Sequence, residues 1–199
     1  MSHYTAFADQ SLIASGSLAE VVQILQPAVS AQPERNYLVF DDATGRCIDL
    51  DLRGSLEDAL ARLPRPAPDA GGEKPGAEKP GPGRPKLGVV PREVTLMPRH
   101  WDWLASQPGG ASVALRKLVE TASRASRARD KARASLEACH NFMGMAGDQP
   151  GFEEATRALF AGDFKAVPAF MAAWPADIRQ HAEYLLEIAQ NDAYEARED

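Results

Sequence analysis

The chain is poor in three features that would narrow its function quickly, namely cysteine, aromatic residues and long apolar runs. It has 199 residues with two cysteines, Cys47 and Cys139, and 7% aromatic residues. The cysteines are far apart and expected in different domains, so we predict no structural disulfide and two small buried thiols. No apolar run approaches the roughly 18 residues that span a bilayer, and the N-terminus lacks the basic start of a signal peptide. We therefore expect a soluble, cytoplasmic protein.

Sequence patterns of catalytic and metal sites are also missing. The chain contains no phosphate-binding glycine loop, nucleophile elbow or metalloprotease helix. Cys139 and His140 are adjacent, with His181 distant, which gives too few ligands for zinc and suggests structural roles. The acidic residues between Asp41 and Asp51 are predicted to form a turn and the solvated face of a strand. We predict that the protein is not an enzyme and that it has no cofactor and no metal.

What the sequence does have is a marked separation of charge. The net charge is −6, yet residues 79–133 contain 12 Lys and Arg against 4 Asp and Glu. The rest of the chain contains 10 basic and 24 acidic residues. A basic middle in an acidic protein favours an anionic partner for that segment.

Residues 1–63 are predicted to form a small α+β domain. The pattern over 4–16 indicates two short strands with a turn between them. A helix follows, because Ser17 and Glu20 have the spacing of a capping box, and Pro27 is expected to end it.

A second hairpin and a second capped helix complete this domain. The strands are predicted at 37–40 and 46–52, and Ser55 and Asp58 are predicted to cap the helix. Alternation in the second strand buries three residues on one face: Ile48, Leu50 and Leu52. Because both helices share a Gly-Ser-Leu start, two interpretations remain open, a duplicated strand–strand–helix unit or two independent Ser-capped helices.

Residues 64–88 are predicted to be a disordered linker. They contain 7 prolines and 6 glycines and too few apolar residues to form a core. Gly83-Arg84-Pro85-Lys86 at its end resembles the core of an AT-hook, in which Arg and Pro lie in a narrow minor groove. Pro82 stands where that core has its first Arg, so we favour a plain linker and retain the AT-hook as an alternative.

Residues 89–199 are predicted to form the mainly helical second half, which opens with a strand–helix–helix pattern over about 91–123. Residues 92–97 alternate like a short strand, Pro98 opens a helix, and a Gly-Gly break precedes a second helix with Ser112 as N-cap. This order resembles the ribbon–helix–helix DNA-binding fold. The resemblance implies an obligate dimer whose paired strands enter the major groove, while the start of the second helix binds a phosphate.

Named DNA contacts follow from this resemblance and from the basic residues nearby. With Val94 and Leu96 facing inward, Thr95 would lie over the groove, while Trp101 and Trp103 are expected in a core or interface. Basic residues of 122–133 would track phosphates along a continuing helix, or form a solvated face. The candidate DNA-binding residues are Arg84, Pro85, Lys86, Arg92, Thr95, Arg99, Ser112, Arg116, Lys117, Arg124 and Arg127.

The remainder is predicted to be helical, with helices from Phe152 to Ala161, from Asp163, and from Pro175 to about Ala193. The order of parts, and especially the stretch from Gly83 to Ala122, is similar to the uncharacterised bacterial family named domain of unknown function 2239. That resemblance covers essentially the whole chain and implies a bacterial cytoplasmic protein, with no established activity.

Two functions are compatible with these patterns. The first is a dimeric, DNA-binding transcriptional regulator whose partner is double-stranded DNA. The alternative is a non-enzymatic scaffold whose basic central helix docks on an acidic partner or on the chain's own acidic region. Neither function needs a membrane.

Overall fold

The computed structural model describes residues 3–63, 90 and 92–198. It confirms the α+β class, with an N-terminal antiparallel sheet followed by a mainly helical half. The predicted linker and the AT-hook-like residues Arg84, Pro85 and Lys86 lie outside the described residues. The elements are β1 Tyr4–Ala8, β2 Ser11–Gly16, α1 Leu18–Ala31, β3 Tyr37–Asp41, β4 Arg46–Ile48, α2 Leu56–Ala61, α3 Pro98–Ser106, α4 Gly110–Met143, a 3-10 helix Gly144–Ala146, α5 Phe152–Ala161, α6 Val167–Phe170 and α7 Ala176–Glu198.

The chain divides into two compact units, and the division differs from the one expected from sequence. The main unit joins Met1–Leu63 with Arg124–Asp199, and the central unit is Pro64–Ser123. The expected boundaries near residues 63 and 89 had separated the N-terminal sheet from all the C-terminal helices. The reason for the difference is a shared core, which side chains from both ends of the chain build together.

The sheet of the main unit has the strand order β2-β1-β3-β4. Both hairpins are antiparallel, and they join through an antiparallel β1–β3 pair that places Tyr4 opposite Asp41. Each hairpin leads into a helix with a complete capping box, from Ser17 and from Ser55, as predicted. The strand–strand–helix order thus occurs twice within one sheet.

Two element boundaries in this region were predicted wrongly. Helix α1 does not stop at Pro27 but continues to Ala31, where Val29 packs against the small core under the sheet. The Tyr37 hydroxyl also donates to the carbonyl of Ala28 at 2.9 Å, which ties the last turn of α1 to the start of β3. Strand β4 ends at Ile48, although the predicted alternation of burial continues to Leu52.

Side chains cover both faces of the sheet. On one face a small cluster combines Ala6 and Val39 with α1. On the other face Phe7 and Phe40 enter the main core with residues from the end of α4 and from α5, α6 and α7. Because β1 is covered on both faces, four of its five residues are buried. The N-terminal sheet therefore depends on the C-terminal helices for half of its cover.

The turn between β3 and β4 requires glycine at position 45. Gly45 has φ +64°, and an added Cβ there would collide with the carbonyl oxygen of Ala138 in α4. The side chain of Asn141, one turn further along α4, donates to the carbonyl of Thr44 at 2.9 Å. Glycine thus permits the close approach of this turn to the helix.

The central unit confirms two parts of the predicted pattern and corrects one, the N-cap at Ser112. Proline opens α3 at Pro98, and the chain breaks at the Gly-Gly pair as predicted. However, no strand is assigned over described residues 92–97, since a strand requires a hydrogen-bonded neighbour. Helix α4 begins at Gly110, so Ser112 lies within its first turn and is not the N-cap. Trp101 and Trp103 are exposed, and in α3 only Leu104 is buried.

The C-terminal helices follow the prediction most closely where local signals are strongest. Helix α5 has the predicted bounds, whereas the region from Asp163 forms turns before a short helix starts at Val167, and α7 extends to Glu198.

The two cysteines differ from the prediction. Cys47 is exposed rather than buried, and it belongs to the same unit as Cys139, which is buried. Both are free thiols. Among the described helices, none is long and apolar enough to cross a membrane.

Candidate functional site

The central unit contains a helical hairpin whose turn is built on two glycines. Gly109 and Gly110 have φ values of +87° and +75°, and the amide of Gly110 donates to the carbonyl of Gln107 at 2.9 Å. These conformations reverse the chain sharply between α3 and α4. Apart from the amide of Gly110, the amides at the start of a helix lack a carbonyl partner within that helix, so this end can bind an anion.

Polar and basic side chains surround this helix start. Ser112 is exposed, and the Arg116 guanidinium donates through Nε to the carbonyl oxygen of Ser112 at 3.1 Å. Lys117 is exposed on the following position. The positive end of the helix dipole and two cations thus lie within two turns of α4.

The hairpin leaves an apolar groove and a wide apolar surface open. Six side chains line the groove, which has a volume of about 260 Å³: Leu96, His100, Trp103, Leu104, Leu115 and Leu118. Trp103 remains 51% exposed, Leu118 49% and Val119 65%. One strongly buried leucine and a partly shielded groove do not make a closed hydrophobic core.

The predicted DNA contacts fall into three sets. Six are exposed in the central unit: Arg92, Thr95, Arg99, Ser112, Arg116 and Lys117. Arg124 and Arg127 are exposed on α4 within the main unit. Arg84, Pro85 and Lys86 lie outside the described residues.

Within the main unit, the basic part of α4 faces the acidic end of α7. The Lys131 ammonium lies 2.8 Å from Asp192 Oδ1 and 2.9 Å from Glu195 Oε2. These carboxylates, Asp192 first, hold the pKa of Lys131 above its ordinary value. Arg124, Arg127 and Lys131 line a groove of about 550 Å³ together with Glu195 and Glu198. We call this the α4–α7 groove.

A buried polar cluster, which the sequence analysis missed, joins the sheet of the main unit to α7. Asp42 Oδ2 lies 2.7 Å from His3 Nδ1 and accepts a hydrogen bond from the Thr5 hydroxyl at 3.0 Å. Asp42 Oδ1 lies 3.2 Å from Nε2 of the buried His181. Neither of these last two atoms has a well-aligned hydrogen bond among the described residues, so they meet as a close polar contact. Asp42 lies in the β3–β4 turn, as predicted, but it is only 8% exposed.

The ionisation of Asp42 reflects opposing effects. Burial raises the pKa of this carboxyl, but the interactions with His181, His3 and Thr5 outweigh burial and hold the pKa below its usual range. The rings of Phe7, Phe142 and Tyr184 surround His181, with the Phe142 centroid 4.5 Å from that of the imidazole. The Asp42 carboxylate is therefore a buried charge with polar partners, and aromatic rings pack around one of them. Buried charges in proteins commonly have such partners.

The remaining candidates for metal or thiol chemistry pack as ordinary side chains. Cys139 is buried in the main core, and burial raises the pKa of its thiol to about 12. His140 packs against Phe160 with ring centroids 5.0 Å apart. Within the ranges that the structure describes, no three His, Cys, Asp or Glu side chains cluster so as to hold a metal ion.

These features define an α+β protein with a sheet covered on both faces and a second unit that exposes apolar and basic side chains. The chain belongs to a family described as an uncharacterised protein conserved in bacteria, domain of unknown function 2239, whose model matches residues 3–186. This confirms the family resemblance seen in the sequence. No curated protein and no solved structure matches the chain. The ribbon–helix–helix resemblance stays a prediction.

Proposed function

We propose that the protein binds double-stranded DNA as a dimer through the central unit, in the manner of a ribbon–helix–helix regulator. The observation that carries this proposal is the incompletely buried apolar surface of the α3–α4 hairpin. Leu104 is 2% exposed and Ala114 8%, while Trp103, Leu118 and Val119 remain open to solvent. Covering such a surface on association is a main source of dimer stability.

The segment before α3 supports a second copy of this unit as the partner. Residues 92–97 form no strand within the described chain, yet they alternate in polarity. In a ribbon–helix–helix dimer this segment pairs only with its copy, so a single chain would have no strand there. Pairing would turn Val94 and Leu96 toward the helices and Thr95 toward the groove of DNA.

The start of α4 supplies the backbone contact in this proposal. First-turn amides and the exposed Ser112 can bind a phosphate, and Arg116 and Lys117 add positive charge beside it. Backbone contacts of this kind position a protein on DNA without reading sequence. Base readout then rests on Thr95 and its neighbours.

Fluorescence anisotropy of labelled mixed-sequence and A·T-rich duplexes, across a salt series, tests this function. Four or five phosphate contacts predict a log-log salt slope near about −4. Arg116→Ala and Lys117→Ala should each weaken binding to all sequences alike and make the slope shallower by about 1. Arg46→Ala, which removes an exposed cation of β4 in the main unit, is the matched control and should leave binding unchanged. Flat anisotropy down to low salt would sink the proposal.

The scaffold alternative has one observation in its favour. Lys131 of the basic helix is paired with Asp192 and Glu195, which supports docking of this helix on the chain's own acidic region. A scaffold would show no duplex binding at low salt and would capture a defined acidic protein through the basic helix. Pull-down with wild type and with the Arg116→Ala variant separates these outcomes.

A further inference from the structure

The α4–α7 groove places opposite charges together at a helix end where acidic residues are unfavourable. Glu195 and Glu198 lie in the last turn of α7, near the negative end of its dipole. Carboxylates at this end need another source of stabilisation. Across the groove, Lys131 pairs with Glu195 at 2.9 Å, and Arg124 and Arg127 line the same side of α4.

Glu195 and Glu198 differ from Asp192 in burial. Asp192 is 5% exposed and is the last buried residue of α7, and it anchors Lys131. Glu195 and Glu198 follow it and are exposed. A terminal turn with no buried side chain opens at little cost. These two carboxylates can therefore leave the groove while the core stays intact.

From this arrangement we propose that the acidic end of α7 competes with DNA phosphates for the basic face of α4, so that the chain limits its own DNA affinity. The idea rests on the proposed function, and it concerns only the part of α4 within the main unit. A phosphate entering the groove meets three cations, but it also meets the like charges of Glu195 and Glu198. Binding there requires those carboxylates to move away, which lowers the observed affinity.

The test compares duplex affinity for full-length wild type and the double variant Glu195→Gln, Glu198→Gln by anisotropy at low salt. The variant should bind about three- to tenfold more tightly, because two exposed carboxylates, one of them paired with Lys131, no longer compete with the phosphates. The gain should shrink as salt is raised, since salt screens exposed charges. The double variant Glu183→Gln, Glu187→Gln, on the same helix but outside the groove lining, carries the same charge change and should bind like wild type.

Each outcome decides the proposal. Tighter binding by the groove variant alone supports competition, and so does binding by that variant when wild type fails to bind. Equal affinity of wild type and groove variant overturns competition but leaves DNA binding standing. An equal gain in both double variants also overturns it, because net charge then explains the effect. Absence of binding by every protein overturns both the competition and the proposed function.

Discussion

At the scale of single residues, Asp42 is the side chain with the most demanding environment. It is a largely buried carboxylate that follows β3, and its partners are His3, Thr5 of β1 and His181 of α7. A buried charge is tolerated only when it is paired and hydrogen-bonded. His3, Thr5 and His181 meet that condition together, so removal of the carboxylate should expose several unpaired groups at once.

Substituting Asp42 should therefore destabilise the protein. We expect Asp42→Ala to lower the free energy of unfolding by about 2–4 kcal/mol near pH 7, because it leaves buried polar partners unpaired. Urea unfolding followed by circular dichroism measures the change. Asp49→Ala, an exposed carboxylate of the same region, is the control and should cost less than about 0.5 kcal/mol. Equal costs for both variants would contradict a structural role for the cluster.

The same carboxylate predicts a pH dependence. Its pKa is lower in the folded chain than the usual value near 4, so the unfolded chain takes up the proton first as pH falls. The stabilisation is complete above that usual value and is lost as pH falls through the lowered pKa. The advantage of wild type over Asp42→Asn in urea unfolding should thus shrink as pH falls below about 5.

Residue-level features were predictable from sequence where their causes are local. The capping boxes at Ser17 and Ser55 were found because each needs only residues three positions apart. The cluster around Asp42 was not found, because Thr5 lies 37 positions away and His181 lies in another half of the chain. No pattern of neighbours marks such a contact.

At the scale of elements, the α3–α4 hairpin is amphipathic, and no described residue covers the exposed apolar side chains of its surface. The groove lined by Trp103, Leu104 and Leu118 lies on the hairpin with exposed apolar groups beside it. An apolar surface of this kind on a short pair of helices is typical of an association surface. The proposed dimer would use it.

A charge in this groove should therefore abolish dimerisation. We expect Leu118→Glu to convert the dimer to a monomer, because the new carboxylate would be buried unpaired at the interface. Sedimentation velocity or light scattering after gel filtration measures the mass. Ile24→Glu is the control, since Ile24 has the same 49% exposure but lies on α1 in the main unit. A wild-type monomer, or a Leu118→Glu dimer, would refute this interface.

Element boundaries were predicted well where a local stop signal agreed with packing and poorly where the two conflicted. Helix α5 begins at Phe152 and ends at Ala161, and both boundaries were predicted. Pro27 is a strong stop signal that packing of Val29 overrides. Likewise, alternation over 92–97 predicts a strand, but a strand also needs a partner that sequence does not supply.

At the scale of the whole molecule, residues 1–63 and 124–199 together build the core of the main unit. The Pro/Gly-rich segment suggested that the fold divides there, since composition marks linkers well. Composition gives no information on which flanking segments pack together. Phe7 and Phe40 from the sheet share a core with α4 and α7, and the Leu12 amide donates to Asp177 at 2.8 Å. Residues 1–63 are thus one layer of a larger fold.

Because they share one core, the sheet and the C-terminal helices are predicted to unfold together. Phe142 is fully buried, with its ring centroid 5.0 Å from Phe40, 5.6 Å from Phe7 and 4.5 Å from His181. Phe142→Ala should lower the free energy of unfolding by about 3–5 kcal/mol, because it removes contacts on both sides of one core and leaves a cavity.

Hydrogen exchange should show amides of β1, β3 and α7 losing protection by the same amount, since they would belong to one cooperative unit. Phe170→Ala, at a 38% exposed position, provides the control and should cost less than half as much. Loss of protection in α7 alone, with β1 and β3 unchanged, would mean that the N-terminal sheet folds independently after all.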